Sequence, residues 1–295
     1  MKISIIIPTL NAEKEIGCLL QSLHNQTVKP EEIIVIDSQS DDETEILCRR
    51  DNKVVFISIQ RSEFDHGSTR DRAFRQSQGD FVLFLTQDAL PFDEYYIEHL
   101  LTPFQDPAVA MVSGRQIAEK QANPIEKWVR EFNYPMESNV RTKDDIPVLG
   151  IKTFFASNVC SAYRRSAYLA AGGFDSPSLT NEDMLMAARL IDAGYKIAYC
   201  ADAKVIHSHR FTLKQQFIRN YNIGVFMRKN AHFFRNVPAS SEGIKMAKQV
   251  LSRLLKEKRL LLSAYFCMEC AVKFLAYQLG SFRANSLRGS NTPYR

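Results

Sequence analysis

The sequence predicts an α/β protein: a central, mostly parallel sheet flanked by helices, followed by a helical C-terminal extension. Four apolar runs in the first third, at 3–7, 33–36, 54–59 and 81–85, carry no polar alternation. Continuous runs of this length, rich in β-branched and aromatic residues, suit strands buried on both faces. Between them, residues 13–25, 42–51 and 67–78 mix polar and apolar side chains at helical spacing, giving a β-α-β-α-β-α-β order. A fifth strand is expected at 109–114. The stretch from there to Gly150, with Trp128 and breaks at Pro135 and Pro147, fits either a segment covering a substrate or an irregular connection. A helix follows at 181–193, then two short strands at 196–199 and 204–207, and from Phe211 onward the pattern is largely helical.

Composition sets the outer limits. The chain has 295 residues, 45% of them apolar, which is enough for one large or two modest cores and excludes a disordered, collagenous or miniature protein. A net charge of +5 is too small to make nucleic acid the default partner. The charge is also uneven: residues 231–295 hold eleven basic and three acidic side chains, a local +8, so the first 230 residues carry −3. The six cysteines are scattered, and the start Met-Lys-Ile-Ser-Ile-Ile-Ile lacks an export-signal pattern, so a reducing, cytoplasmic setting is expected. Cys267 and Cys270 have no second pair at zinc-ligand spacing and read as two core thiols on one helix. Residues 260–279 approach the length of a membrane span, but Glu269 and Lys273 interrupt them four residues apart. That spacing favours a paired, soluble or surface-lying helix.

Ligands of a parallel sheet gather at its strand C-termini. The unusual polar residues lie there: Pro8-Thr9-Leu10-Asn11, Asp37-Ser38-Gln39-Ser40, residues 61–70 and Thr86-Gln87-Asp88. Neither GxxxxGK[ST] nor GxGxxG occurs, which removes most nucleotide triphosphatases and dehydrogenases. Carboxylates and hydroxyls on such loops suit a nucleoside diphosphate held through a divalent cation. Asp37 fits either a hydrogen-bond acceptor for a base or ribose or a helix cap; Ser40 and Asp41 are better placed to cap, which leaves Asp37 open. Asp88 alone is one carboxylate of a metal site or an ordinary loop acid. Arg70 opens a helix as either a diphosphate fork or a surface side chain. Glu182 and Asp183 open another helix, as dipole partners or as a catalytic base. His207-Ser208-His209 ends a strand, with ligating and structural readings both open.

Taken together, these pieces resemble glycosyltransferase family 2, the inverting nucleotide-sugar transferases of the Rossmann-like GT-A fold. The resemblance runs over roughly residues 2–235 and rests on ordered motifs. They are Ile5-Ile6-Ile7-Pro8-Thr9-Leu10-Asn11, Ile34-Val35-Ile36-Asp37-Ser38, Gly79-Asp80 and Phe84-Leu85-Thr86-Gln87-Asp88-Ala89, then Gly172-Gly173-Phe174-Asp175, Asn181-Glu182-Asp183 and His207. Phe64-Asp65-His66-Gly67-Ser68-Thr69-Arg70, Thr86-Gln87-Asp88-Ala89 and Val205-Ile206-His207-Ser208-His209 look like the members that use dTDP-L-rhamnose.

The resemblance implies a transferase domain over 1–235, with a nucleotide-sugar half at 1–115 and an acceptor half at 150–210, and a basic amphipathic helical region over 236–295. It implies that Pro8, Thr9, Asn11, Asp37, Ser38, Arg70, Gln87 and Asp88 bind the nucleotide sugar, and that Asp88 and His207 bind Mg²⁺ or Mn²⁺. Asp183 becomes the general base, with Glu182 the acid beside it. One departure stands out: the family's DxD motif has Gln87 in place of its first acid. The expected partners are a nucleotide-sugar donor, a lipid-linked or oligosaccharide acceptor, and an anionic membrane surface met by Lys245, Lys248, Arg253, Lys256, Lys258 and Arg259 on the cytoplasmic face, with a solvated helical bundle or an oligomer interface as the other reading of that stretch. A UDP-hexose or UDP-N-acetylhexosamine transferase and a non-catalytic nucleotide-sugar binder are the alternative readings.

Overall fold

The computed structural model describes residues 1–178, 180–209, 211–234, 237 and 240–286. The chain forms two compact units, 1–122 with 133–208 and 123–132 with 209–295. In chain order the first unit runs β1 (Ile3–Thr9), α1 (Ile16–His24), β2 (Glu32–Asp37), α2 (Thr44–Arg49), β3 (Val54–Ser58), α3 (His66–Gln76) and β4 (Phe81–Leu85). It continues through β5 (Leu90–Pro91), α4 (Tyr96–Leu101) and β6 (Val109–Ile117) to α5 (Pro124–Asn133), which belongs to the second unit except for its last residue. The first unit resumes with β7 (Asn139–Arg141), α6 (Ile146–Leu149), β8 (Cys160–Arg164), α7 (Arg165–Ala170), α8 (Glu182–Asp192) and β9 (Lys196–Ile206).

The strands form one sheet in the order β3-β2-β1-β4-β8-β6-β9-β5, with β7 also paired to β9. β3, β2, β1 and β4 are parallel, as the unbroken apolar runs predict. Beyond β4 the sheet is mixed: β8 is antiparallel to both β4 and β6, and β5 and β7 are antiparallel to β9.

Alternate side chains of the strands serve opposite faces. Ile3, Ile5 and Ile7 point with Leu83 and Leu85 into a core filled by Ile16, Leu19 and Leu23 of α1 and Tyr96, Ile97 and Leu100 of α4. On α3, α7 and the strands they cover, Phe74, Phe84, Tyr163, Tyr168 and Phe174 make an aromatic cluster, with Phe74 stacked on Tyr168 at 3.7 Å. Each fully buried side chain of this size contributes about 1.5–3 kcal/mol. These two layers hold the C-terminal ends of β1, β2 and β4 at one edge.

The two strands expected at 196–199 and 204–207 are one strand, β9. Its register with β6 shifts where Gly114 faces Cys200 and Arg115 faces Lys204, so residues 201–203 bulge without ending the pairing. Gly114 permits it, because a Cβ there would stand 2.5 Å from the Ala203 carbonyl oxygen.

The second unit is helical: α5, α9 (Leu213–Lys229), α10 (Ala231–Phe234), α11 (Ser240–Lys256) and α12 (Leu260–Ser286). α9 and α12 pack backbone to backbone. A Cβ on Gly224 would stand 2.1 Å from the Tyr277 carbonyl oxygen, and one on Gly280 would stand 2.0 Å from that of Tyr221. This pairing ties α9 to the C-terminal helices, which is why the division falls at 208/209, ahead of position 235. Trp128 and Val129 of α5 pack around Ile125, Val250, Leu254 and Phe266, so part of the unassigned stretch 115–150 serves the helical core. Glu269 and Lys273 form the expected ion pair, and Glu269 also accepts from Gln216 Nε2 at 3.3 Å. Cys267 and Cys270 lie on α12 as free thiols; Cys270 packs in the core, whereas Cys267 is exposed, contrary to expectation, because its face of α12 looks away from α9 and α11. Arg235, Arg288 and Arg295 of the basic tail lie outside the described residues.

Candidate active site

Three loops at the strand C-termini are laced together by side chains. Thr9 Oγ1 at the end of β1 donates to Asp37 Oδ1 at the end of β2, at 2.8 Å. Asp37 also accepts from the Ser40 backbone N–H at 2.8 Å and from Ser40 Oγ at 2.6 Å. The Asp37 carboxylate is therefore not left open, as the sequence had implied. It organises its own turn, and what it retains for a ligand is the second lone pair of Oδ2. Asn11, in the left-handed region at φ 51°, donates its N–H to Ser40 Oγ and accepts from the Asp41 N–H through Oδ1. Pro8 pairs with Ile36 within the sheet, and Ser38 donates its N–H to the Thr9 carbonyl.

Gln87 explains the departure at the first acidic position. Its Oε1 accepts from the Leu10 N–H at 2.8 Å and its Nε2 donates to the Leu10 carbonyl at 3.2 Å. One amide clamps both polar groups of a loop residue, which a carboxylate, lacking a donor, cannot do. Gln87 thus fixes the β1 loop against the β4 loop.

Beside it, Asp88 Oδ2 lies 3.5 Å from Nε2 of His207, which is buried at 4% exposure. His207 Nδ1 is 2.9 Å from Gln116 Oε1, and Gln116 Nε2 donates to Ser157 Oγ at 3.0 Å. Because Gln116 presents an acceptor, Nδ1 is the donor in that bond, and Nε2 is the ring nitrogen turned towards Asp88. A carboxylate oxygen and an imidazole nitrogen so arranged form a donor set that fits a divalent cation.

The second acidic centre lies at the start of α8. Glu182 is buried, 3.4 Å from Arg70 Nη1, and accepts from Asn158 Nδ2 at 3.1 Å. Arg70 also donates to the His66 carbonyl at 3.0 Å. Arg70, 5% exposed, is thus the counter-ion of Glu182 within the fold and not the surface side chain that was one of its two readings. Asp183 is partly exposed; its Oδ2 accepts from the Asn158 N–H at 3.0 Å and its Oδ1 from the Met184 N–H at 2.7 Å. Burial, then the neighbouring Glu182 carboxylate, push Asp183 up to about 7, against the pull of the two N–H donors and Arg70. A carboxylate so tuned is half-ionised near neutral pH, where a general base works best. Asp65 completes this side: it caps α3 through Gly67 and Ser68 and accepts from the Ser178 N–H at 2.6 Å, docking the loop that leads into α8.

Among the described residues, the buried polar atoms without a hydrogen-bond partner include Ser38 Oγ after β2, Thr86 Oγ1 after β4 and Arg70 Nε on α3. Such groups are costly unless a ligand or water completes them. Sequence reasoning did not single out Asn158 or Gln116, and it took Ser40 for a helix cap. Ser40 was legible as a polar turn residue, whereas Asn158 and Gln116 gain meaning only from the pairing of β8 and β9 with β6.

A half-parallel, half-mixed α/β sheet with a carboxylate–imidazole pair and a tuned acid at its C-terminal edge defines a GT-A glycosyltransferase. The chain belongs to Glycosyl transferase family 2, which its residues 4–170 match. It is 42% identical over 287 residues to the O-antigen chain rhamnosyltransferase RfbN of Salmonella typhimurium, covering 95% of this chain and 90% of that one. It is also 42% identical to the O-antigen chain rhamnosyltransferase WbaN of Salmonella anatum, over 94% of this chain and 88% of that one. In fold it is similar to the mannosyltransferase PcManGT from Pyrobaculum calidifontis in complex with GDP-Man and Mn²⁺, with a TM-score of 0.67 at 16% identity over 96% and 87% of the two chains.

Proposed function

We propose that this glycosyltransferase moves L-rhamnose from dTDP-L-rhamnose, with inversion, to a lipid-linked or oligosaccharide acceptor in the synthesis of a cell-surface polysaccharide. The observation that carries the chemistry is the tuned Asp183 at the same sheet edge as Asp88 and His207; likeness along nearly the whole chain to O-antigen rhamnosyltransferases supports the sugar. In one step the acceptor oxygen bonds to the anomeric carbon, the bond from that carbon to the diphosphate oxygen breaks, and dTDP leaves with the electron pair. The acceptor proton passes to Asp183, whose oxygens each keep a lone pair beyond the N–H bonds they accept. Asp88 and His207 would hold Mg²⁺ or Mn²⁺, which when bound neutralises charge developing on the diphosphate. The loops carrying Pro8, Thr9, Asn11, Asp37, Ser38 and Gln87 form the nucleotide side, with the unpartnered Ser38 and Thr86 hydroxyls available to it.

A ligand that binds only the native state raises its melting temperature. The reading expects dTDP-L-rhamnose with Mg²⁺ or Mn²⁺ to raise it by several degrees, and UDP-glucose and UDP-N-acetylglucosamine to leave it nearly unchanged. A UDP-selective shift would replace the donor assignment.

The acceptor side of the proposal places the enzyme on the cytoplasmic face of the membrane through α12. Leu261, Met268, Leu275 and Phe282 recur every seven residues along one exposed line, with Leu261 89% and Phe282 72% exposed and Tyr265 and Leu279 alongside. Residues 260–284 are long and apolar enough for a span by length and composition. The Glu269–Lys273 pair and the Gly280 contact with α9 instead support a helix lying along the surface, its apolar side in the lipid and Lys256, Lys258 and Arg259 at its start meeting anionic headgroups. The protein should sediment with phosphatidylglycerol vesicles at low salt, and the double variant Leu275→Asp/Phe282→Asp should remain in the supernatant. Wild-type protein staying unbound would remove this attachment.

A further inference from the structure

We propose that Asn158 is the positioning residue of the Glu182–Asp183 pair, the side chain that fixes the base and sets the pH at which it works; the inference rests on the reading of Asp183 as the base. Asn158 precedes β8 and is 2% exposed. Its amide Nδ2 donates to Glu182 Oε1 at 3.1 Å, while its backbone N–H donates to Asp183 Oδ2 at 3.0 Å. One residue therefore binds both acids through separate atoms and holds their spacing. Its Oδ1 accepts from Ser161 Oγ and Tyr163 OH, each at 2.8 Å. The two hydroxyls fix the amide's orientation: turned over, Oδ1 would face the Glu182 carboxylate.

The charged and titratable groups facing the pair are Arg70 on α3, which His66 Nδ1 contacts from behind at 3.2 Å, and Tyr163 on β8. Burial holds the Tyr163 phenol well above its ordinary range, so its hydroxyl stays a donor throughout the working pH. Arg70 supplies one positive charge to two carboxylates, and the neutral Asn158 adds donors without adding charge. Each N–H donated to an ionised carboxylate favours its ionisation; a third carboxylate in the same place would oppose it.

Asn158→Asp, nearly isosteric, tests this. The acidic limb of kcat should move up by about one pH unit, lowering kcat at pH 7 roughly fivefold. The affinity for dTDP with Mn²⁺ should stay within about twofold, since Asn158 acts through the acid pair. In the donor-free protein, the ¹³C titration of the Asp183 carboxylate, assigned by its absence from Asp183→Asn, should move in the same direction. The double variant Ser161→Ala/Tyr163→Phe keeps Asn158 but releases its amide, and should show a smaller kcat loss with a displaced limb. It carries the test if Asn158→Asp does not fold. An unchanged limb and an unchanged carboxylate titration in a folded variant would overturn the proposal. If Asp183→Asn transfers normally, the base reading fails, whereas the carboxylate titration still reports whether Asn158 governs the pair.

Discussion

Asp183→Asn is expected to abolish transfer while leaving donor binding intact. The substitution keeps the side chain's volume but replaces the carboxylate with an amide too weakly basic to take the acceptor proton, the role proposed for Asp183. A positioned general base contributes about 10²- to 10⁴-fold, so turnover should fall by at least that range's lower end. The affinity for dTDP with metal should be unaltered, because Asp183 sits with Glu182 and Asn158, away from the Asp88–His207 pair in its bonding. The pH profile supplies the sign. With Asp183 as the proposed base, transfer needs its ionised carboxylate, whose pKa is raised to about 7, so the wild-type rate should rise with pH and reach only about a tenth of its plateau at pH 6. Folding raises this acid above its ordinary 3.8, so the native chain binds more protons than the unfolded one between the two values. The group's contribution to stability is fullest below about pH 4 and declines as pH rises towards 7. Melting temperatures of wild type and variant across that window check folding and sign together.

Asp88→Ala should cost nearly as much, by a different route. The variant removes the carboxylate that faces His207 Nε2, and with Gln87 committed to Leu10 the neighbouring position supplies no second acid. Metal stabilisation of a leaving diphosphate is worth several kcal/mol, which corresponds to about a thousand-fold in rate. Calorimetry should show dTDP binding that no longer responds to Mn²⁺, in a protein that melts within a few degrees of wild type. Persistence of a metal-dependent enhancement would move the site elsewhere.

These two acids show how far the sequence reaches. β1, β2 and β4 were legible because strands buried on both faces require unbroken apolar runs, and Ile3 to Ile7 or Phe81 to Leu85 have no other sensible environment; β3 carries such a run too, but it is the edge strand and stays half-exposed, with Val55 open to solvent. β8 was not: Cys-Ser-Ala-Tyr-Arg carries no apolar run, and it is a strand because β4 and β6 flank it. Asp88, Asp183 and His207 stood out as polar residues at element ends, and the structure brings Asp88 to His207. What the sequence could not convey was how carboxylates and cations are shared. Asp37 looked open because Ser40 was assigned to the helix, when Ser40 donates to Asp37 itself. Arg70 looked like a phosphate ligand because its partner Glu182 lies 112 positions away. Gln87 looked like a lost metal ligand, and its clamp on Leu10 depends on a parallel pairing that no local pattern records.

The central claim is rhamnosyl transfer from dTDP-L-rhamnose with Asp183 as base. Its most direct test is release of dTDP from dTDP-L-rhamnose by the purified protein with Mn²⁺ and a lipid extract containing lipid-linked saccharides. The account predicts that release depends on both the extract and the metal, rises with pH through about 7, and is lost in Asp183→Asn. Release of UDP from a UDP-sugar under the same conditions, with dTDP-L-rhamnose left intact, would contradict it.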